Sequence, residues 1–238
     1  MINITQTKSL LNVTQEWDAI ARIREEQISS GKDHSANFVL GPAILSELPK
    51  IHNLVDIGCG TGWLTSQAAG RATATVGVDP SGESIAIARE RHSKSSVSYF
   101  AESVEQMAKR RKRPSFDAAI SNMAASSSPD LEGFFRASRK LLREDGLFIA
   151  TIPHPCFWPL YWGYASHPSF HYERTFAVEA DFKIRDHFTD MRTTHFHHPL
   201  QKYLSSLSIA GFAVKRTLEL SGRGFDFPRF MLLVSRAI

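Results

Sequence analysis

Asp56 stands two residues ahead of three closely spaced glycines, Gly58, Gly60 and Gly62, and a second acid, Asp79, lies 21 residues beyond Gly58. Glycines at this spacing leave bare backbone for a ligand and take up backbone angles closed to other residues. An acid about 20 residues past such a loop is placed to accept hydrogen bonds from both hydroxyls of a ribose, although it could also cap the next helix. The other chemical resource is histidine. Seven of the ten histidines, His154, His167, His171, His187, His195, His197 and His198, fall in one stretch. Histidine suits the removal of a proton near neutral pH. His195, His197 and His198 are the first candidates for a general base, with His154 behind them, and a structural or exposed role competes for each. His195-x-His197-His198 could also hold a metal, but the nearby acids Asp186 and Asp190 offer no tight ligand spacing, so no metal is expected.

These groups need elements to position them. The apolar run from Ile51 to Asp56 reads as a short buried parallel strand stopped by the glycines, with a helix from Trp63 to Ala69 behind the loop. Ala74–Asp79 reads as a second strand, ending in the ribose acid and followed by a helix after Ser81. Val97–Phe100 is a third strand that delivers Glu102 and Ser103, Glu102 being either a ligand acid or a first-turn helix charge. Phe116–Asn122 is the fourth, with Met123 and a serine-rich loop at its exit. Asp130 reads as the cap of a helix to Leu142, and Glu144-Asp145-Gly146 as the turn into a fifth strand, Leu147–Ile152. Strands alternating with helices argue an α/β fold with a largely parallel sheet.

Outside this centre the pattern loosens. Residues 1–13 read as a loose arm, and Thr14 or Gln15 opens a helix to about Ser29. A second helix surrounds Pro42. Trp17 and Arg22 could face the ligand, with core packing and a solvated charge as the competing readings. Residues 153–196 read as an irregular insertion rich in aromatics, among them Phe157, Trp158 and Tyr161. A segment after the fifth strand lies at the carboxyl edge of the sheet, where open α/β sheets bind ligands, and its aromatics suit a flat or apolar small molecule. A helix near Tyr203 and strands Phe212–Leu220 and Phe230–Ser235 close the chain.

The third glycine comes four residues after the first, one fewer than in the dinucleotide fingerprint. With Asp56 ahead of it, the Val-Asp-Pro-Ser run at 78–81 and Leu141-Leu142-Arg143-Glu144-Asp145-Gly146-Leu147, the chain resembles the class I S-adenosylmethionine (SAM)-dependent methyltransferases, in their small-molecule, ubiquinone- and menaquinone-biosynthesis-like branch. The resemblance implies a Rossmann-like sheet of about seven strands, the last antiparallel, with helices on both faces. It divides the chain into a helical cap (1–50), a SAM-binding core (51–152), a substrate insertion (153–196) and a C-terminal helix with closing strands (197–238). It implies that Asp56, Gly58, Cys59 and Gly60 hold the methionine part of SAM. It further implies that Asp79 and Pro80 meet the ribose, Glu102 and Ser103 the adenine, and Asn122 the transfer site. Trp17, Met123, Phe157, Trp158 and Tyr161 would then face the acceptor. Asn122-Met123 lacks the Pro-Pro-Tyr continuation of enzymes that methylate nucleobase or glutamine nitrogens. The expected reaction is methyl transfer to oxygen or nitrogen of a small aromatic or apolar metabolite. An RNA methyltransferase, a SAM-binding protein without turnover and a nicotinamide-dependent oxidoreductase stand as alternatives.

Composition narrows these. The 238 residues carry a net charge of +4, but Lys109–Arg113 supplies five of the 28 basic residues; without it 23 basic residues face 24 acidic ones. The basicity is one local cluster, most simply a solvated loop, and nucleic acid is not the expected partner. Two cysteines, Cys59 and Cys156, make no disulfide framework, and the opening residues lack a secretory pattern. A cytoplasmic monomer or homodimer without a membrane span is expected.

Overall fold

The structure is a computed structural model that describes residues 2–184 and 187–238; Asp186, weighed above as a metal ligand, lies outside them. The chain opens with β1 (Asn3–Thr5), α1 (Leu10–Ser29), a π-helical turn and α2 (Gly41–Glu47). Then β2 (Ile51–Ile57), α3 (Trp63–Ala68), β3 (Ala72–Asp79), α4 (Gly82–Arg91), β4 (Val97–Ala101) and α5 (Val104–Arg110) follow. The centre ends with β5 (Phe116–Asn122), α6 (Leu131–Leu141) and β6 (Leu142–Pro153). Beyond it come α7 (Trp158–Trp162), β7 (Phe176–Ile184), β8 (His187–His197), α8 (Leu200–Ile209), β9 (Phe212–Ser221) and β10 (Pro228–Ala237).

Seven strands form one sheet in the order β4-β3-β2-β5-β6-β10-β9. The first five run parallel, and β10 is antiparallel to both β6 and β9. Apolar residues on the two sides of these strands are buried by separate helices, as a parallel sheet requires. On one side Phe135 of α6 meets Phe148 of β6 edge-on, and Phe148 stacks on Phe212 at 4.9 Å. On the other, Ile44 of α2 and Leu64 of α3 pack with Leu54, Ile120, Ile149 and Leu232. The order places the exits of β2, β3 and β5 side by side, with the β6–β10 pair next along the same edge.

Two expectations need correction. The N-terminal arm is ordered: β1 pairs with β7 in the register Asn3↔Glu179, and α1 begins at Leu10 behind the cap Ser9, whose side chain accepts from the Asn12 amide. Lys8 pins this segment by pairing with both Glu16 and Glu179. The insertion is also less irregular than its composition suggests. Its second half is the antiparallel pair β7–β8, forming with β1 a separate three-stranded sheet. His195 and His197 therefore sit on a strand and not on a loop. A smaller difference is that the Asp145 turn is a bulge within β6, with Asp145 at φ 59°.

Candidate active site

A cavity of about 600 Å³ opens along the carboxyl edge of the sheet, between the glycine loop and the β1–β7–β8 layer. The loop is held open by its own backbone. The amides of Gly58 and Cys59 both donate to the Val78 carbonyl, tying the loop to β3. Gly58, Gly60 and Gly62 all have positive φ, at 71°, 52° and 87°. A Cβ at Gly58 would collide with Ala124, and one at Gly62 would press on Tyr99 and Ala88; at Gly60 nothing stands within 4 Å. Gly60 is the point where a ligand can lie against bare backbone.

Two acids flank that point. Asp56 is buried, accepts from the Thr65 hydroxyl at 2.6 Å through one oxygen, and leaves Oδ1 buried without a partner. Burial, with the charge of Asp79 nearby, pushes its carboxyl up to about 7. Asp79 accepts from the amides of Gly60 and Ser81, one bond to each oxygen, so each oxygen keeps capacity for a further donor. Burial pushes it up to about 6 in spite of those bonds. Ser81, and not Asp79, caps α4. The orphaned Asp56 oxygen calls for a cationic donor, and the two Asp79 oxygens for a pair of hydroxyls. Cys59, Pro80, Ser103 and Asn122 also line the cavity. Ser103 caps α5. Asn122 accepts from the Thr151 hydroxyl through Oδ1, while Met123 adopts φ 62°. Glu102 must be corrected: its carboxylate turns away from the cavity to a bidentate pair with Arg110 at 2.5 and 3.2 Å.

The opposite wall is aromatic. Trp17, Met123, Trp158 and Tyr161 line it, together with Trp162 and Phe230. Trp17 reaches it because α1 is fastened across α4: Asp18 accepts from the Ser81 hydroxyl and the Glu83 amide, and Glu25 pairs with His92. Arg22 is exposed on the outer face of α1. Phe157 is a second correction, because it stacks away from the cavity on Phe227 and packs against His154.

The histidines divide. His195 lines the cavity, accepting from the Trp158 indole at 3.2 Å. Burial among aromatic rings, with His197 and His198 near, pushes it down to about 3. The other three face elsewhere. His197 is stacked on Phe176 and bonded to the Tyr172 carbonyl. His198 is buried beside Thr175 and Tyr203. His154 pairs with Glu219 at 2.9 Å. Among the described residues no three His, Cys, Asp or Glu side chains are grouped to hold a metal, and no helix is long and apolar enough to cross a membrane.

Two wall residues carry no motif. Ser35 and Arg229 meet at 3.0 Å on the cavity surface although 194 positions separate them. Arg229 sits at the start of an otherwise apolar run, Phe230–Val234, and no spacing marks it.

Residues 55–150 match the family model described as a methyltransferase domain. A ubiquinone biosynthesis O-methyltransferase of Rhizobium rhizogenes is 34% identical over 144 residues, which are 58% of this chain and 56% of that protein. The chain thus spans about half the length of the curated relatives it matches. Among solved structures, the DhpI–SAM–HEP complex is similar with a TM-score of 0.67 at 19% identity, over 98% of this chain and all of that one. The cyclase SpnF is similar with a TM-score of 0.65 at 15% identity, over 99% and 98%. The seven-stranded sheet and the glycine loop agree with these likenesses: residues 55–150 match a methyltransferase domain, and the chain has the fold of the class I SAM-dependent methyltransferases.

Proposed function

We propose that the protein is a SAM-dependent methyltransferase that moves a methyl group to an oxygen or nitrogen of a small aromatic or apolar acceptor. The observation that carries this reading is the pairing of Asp56 and Asp79 around Gly60 with an aromatic wall in one cavity. Bound SAM supplies a methyl on a positively charged sulfur. Asp56 would hold the ammonium of its methionine part with the oxygen that otherwise lacks a partner. Asp79 would receive the two ribose hydroxyls, and Gly60 lets the chain lie flat beneath. Asn122 and Met123, at the exit of β5, would flank the point of transfer.

The remaining work is alignment and exclusion of water. Trp17, Trp158 and Tyr161 would sandwich a flat acceptor. Of the four histidine candidates only His195 lines the cavity, and it is neutral with its accepting nitrogen occupied, which favours an acceptor that reacts without help from a strong base. The unpaired Cys59 and Cys156 suit a reducing compartment such as the cytoplasm, and a monomer or homodimer suffices because the cavity is built from one chain.

The RNA alternative finds less support. In the 109–113 run, Arg110 is tied to Glu102, and Arg111 lies over Phe116 and bonds Ser115. The run leads into the amino end of β5, where Arg111 packs on Phe116.

Calorimetric titration with SAM, S-adenosylhomocysteine and NAD tests the reading. Binding of the first two alone, lost in Asp79→Ala, is expected. Binding of NAD alone overturns it.

A further inference from the structure

Arg229 opens β10 at the cavity wall and is 6% exposed. Its Nη1 donates to the Tyr161 hydroxyl at 2.6 Å and its Nη2 to the Ser35 hydroxyl at 3.0 Å. The guanidinium carbon lies 4.6 Å from the Tyr161 ring centre and 5.4 Å from that of Phe230. Nε is buried without a partner, packed against Gly222, where any side chain would overlap the guanidinium. Among the described residues its polar partners are two neutral hydroxyls and no carboxylate. Arg24, which also lines the cavity, differs because Asp33 neutralises it at 2.7 Å.

A buried cation without an opposite charge is unfavourable, and the chain tolerates it where a ligand completes the pair. Tyr161 and Ser35 each accept from the guanidinium and keep their own proton to pass on to a further acceptor atom. Arginine is suited to the oxygens of a carboxylate or a phosphoryl group. We propose that Arg229, with Tyr161 and Ser35, receives an anionic group of the acceptor, a carboxylate or a phosphoryl group. The inference rests on the reading of the cavity as a methyl-transfer site. β10 lies two strands from β5, so the anion would sit about 10 Å across the sheet from Asn122, the reach of one ring and a short arm.

The test is intrinsic tryptophan fluorescence of the protein saturated with S-adenosylhomocysteine, since Trp158 and Trp162 form the wall. The probes are matched pairs: 4-hydroxybenzoate against 4-hydroxybenzamide, and phenyl phosphate against phenol. At least one anion is expected to bind about tenfold tighter than its uncharged partner, and which pair shows it distinguishes carboxylate from phosphoryl. Arg229→Gln should erase the preference and Arg229→Lys keep part of it, with S-adenosylhomocysteine affinity held within about twofold. If Arg229→Gln does not fold, the Ser35→Ala, Tyr161→Phe double variant carries the test, with the preference falling about threefold or more. Equal binding within both pairs, no binding by either anion, or a preference that survives in the variants overturns the proposal. So does a tenfold loss of S-adenosylhomocysteine affinity in Arg229→Gln, which would assign the counter-charge to the cofactor's carboxylate. If the unaltered protein does not bind S-adenosylhomocysteine at all, the transfer-site reading itself fails, and this inference fails with it.

Discussion

The indole N–H of Trp158 donates to Nε2 of His195 at 3.2 Å, which leaves the imidazole proton on Nδ1. With burial pushing the ring down to about 3, His195 is a neutral part of the wall at any working pH. At saturating SAM, kcat should therefore show no histidine ionisation between about pH 6 and 8.5. His195→Gln should raise KM for the acceptor by about tenfold and leave kcat within about threefold. A fall in kcat of about a hundredfold would restore His195 as the base.

Asp56 makes cofactor affinity depend on pH. Its carboxyl sits at about 7 in the free protein, and Asp79 at about 6. A ligand ammonium requires Asp56 ionised, so S-adenosylhomocysteine should bind more tightly as pH rises from about 5.5 to 7.5, by up to about tenfold per unit, and then level off. Binding near pH 6 should release protons, which calorimetry in two buffers of different ionisation heat would detect. The unliganded protein carries the opposite trend. A folded value raised above the ordinary 3.8 stabilises at low pH, and that stability is lost as pH rises toward about 7. Asp56→Asn should flatten both curves.

Gly58 and Gly60 share a positive φ and differ in surroundings, so the same substitution should fail in different ways. Gly58→Ala drives a methyl into Ala124 and should cost about 2–4 kcal/mol of stability in urea unfolding. Gly60→Ala meets open space, so it should cost only about 1 kcal/mol while blocking the cofactor's approach. A Gly60→Ala protein that binds S-adenosylhomocysteine normally would remove Gly60 from the site.

Asp18 joins α1 to the start of α4 through the Ser81 hydroxyl and the Glu83 amide. Asp18→Ala should cost about 1 kcal/mol. It should also loosen Trp17 from the cavity, seen as faster amide exchange along α1 and a weaker acceptor KM, with S-adenosylhomocysteine affinity retained. Unchanged exchange would mean that Glu25 and His92 suffice to hold the helix.

The glycine loop and the strand-end acids were legible in the sequence because their chemistry is local: a strand, a turn and a side chain within a few residues. The spacing put Asp79 at the end of a strand, and the resemblance put Asp56 beside the glycine loop; both line the cavity. Glu102 shows where spacing stops, because its neighbour Ser103 reaches the cavity while an arginine eight residues on draws the carboxylate aside. The histidines were harder, since a β-strand alternates its faces: His195 and His197 share one, yet aromatic packing admits only the first to the cavity. Ser35 and Arg229 could not be read at all. Their meeting depends on β10 pairing beside β6 and on the segment before α2 crossing that edge, which no short-range pattern encodes.

The pairing of Asn3 with Glu179 also sets an order of assembly. Residues 51–152 can form their parallel strands from neighbours in sequence, whereas β1 finds no partner until β7 has been made. On the ribosome β1 therefore waits until β7 has been made, and the acceptor side of the cavity closes after the glycine loop has formed. A nascent chain stalled before residue 176 would carry the glycine loop and both of its acids but no roof above them.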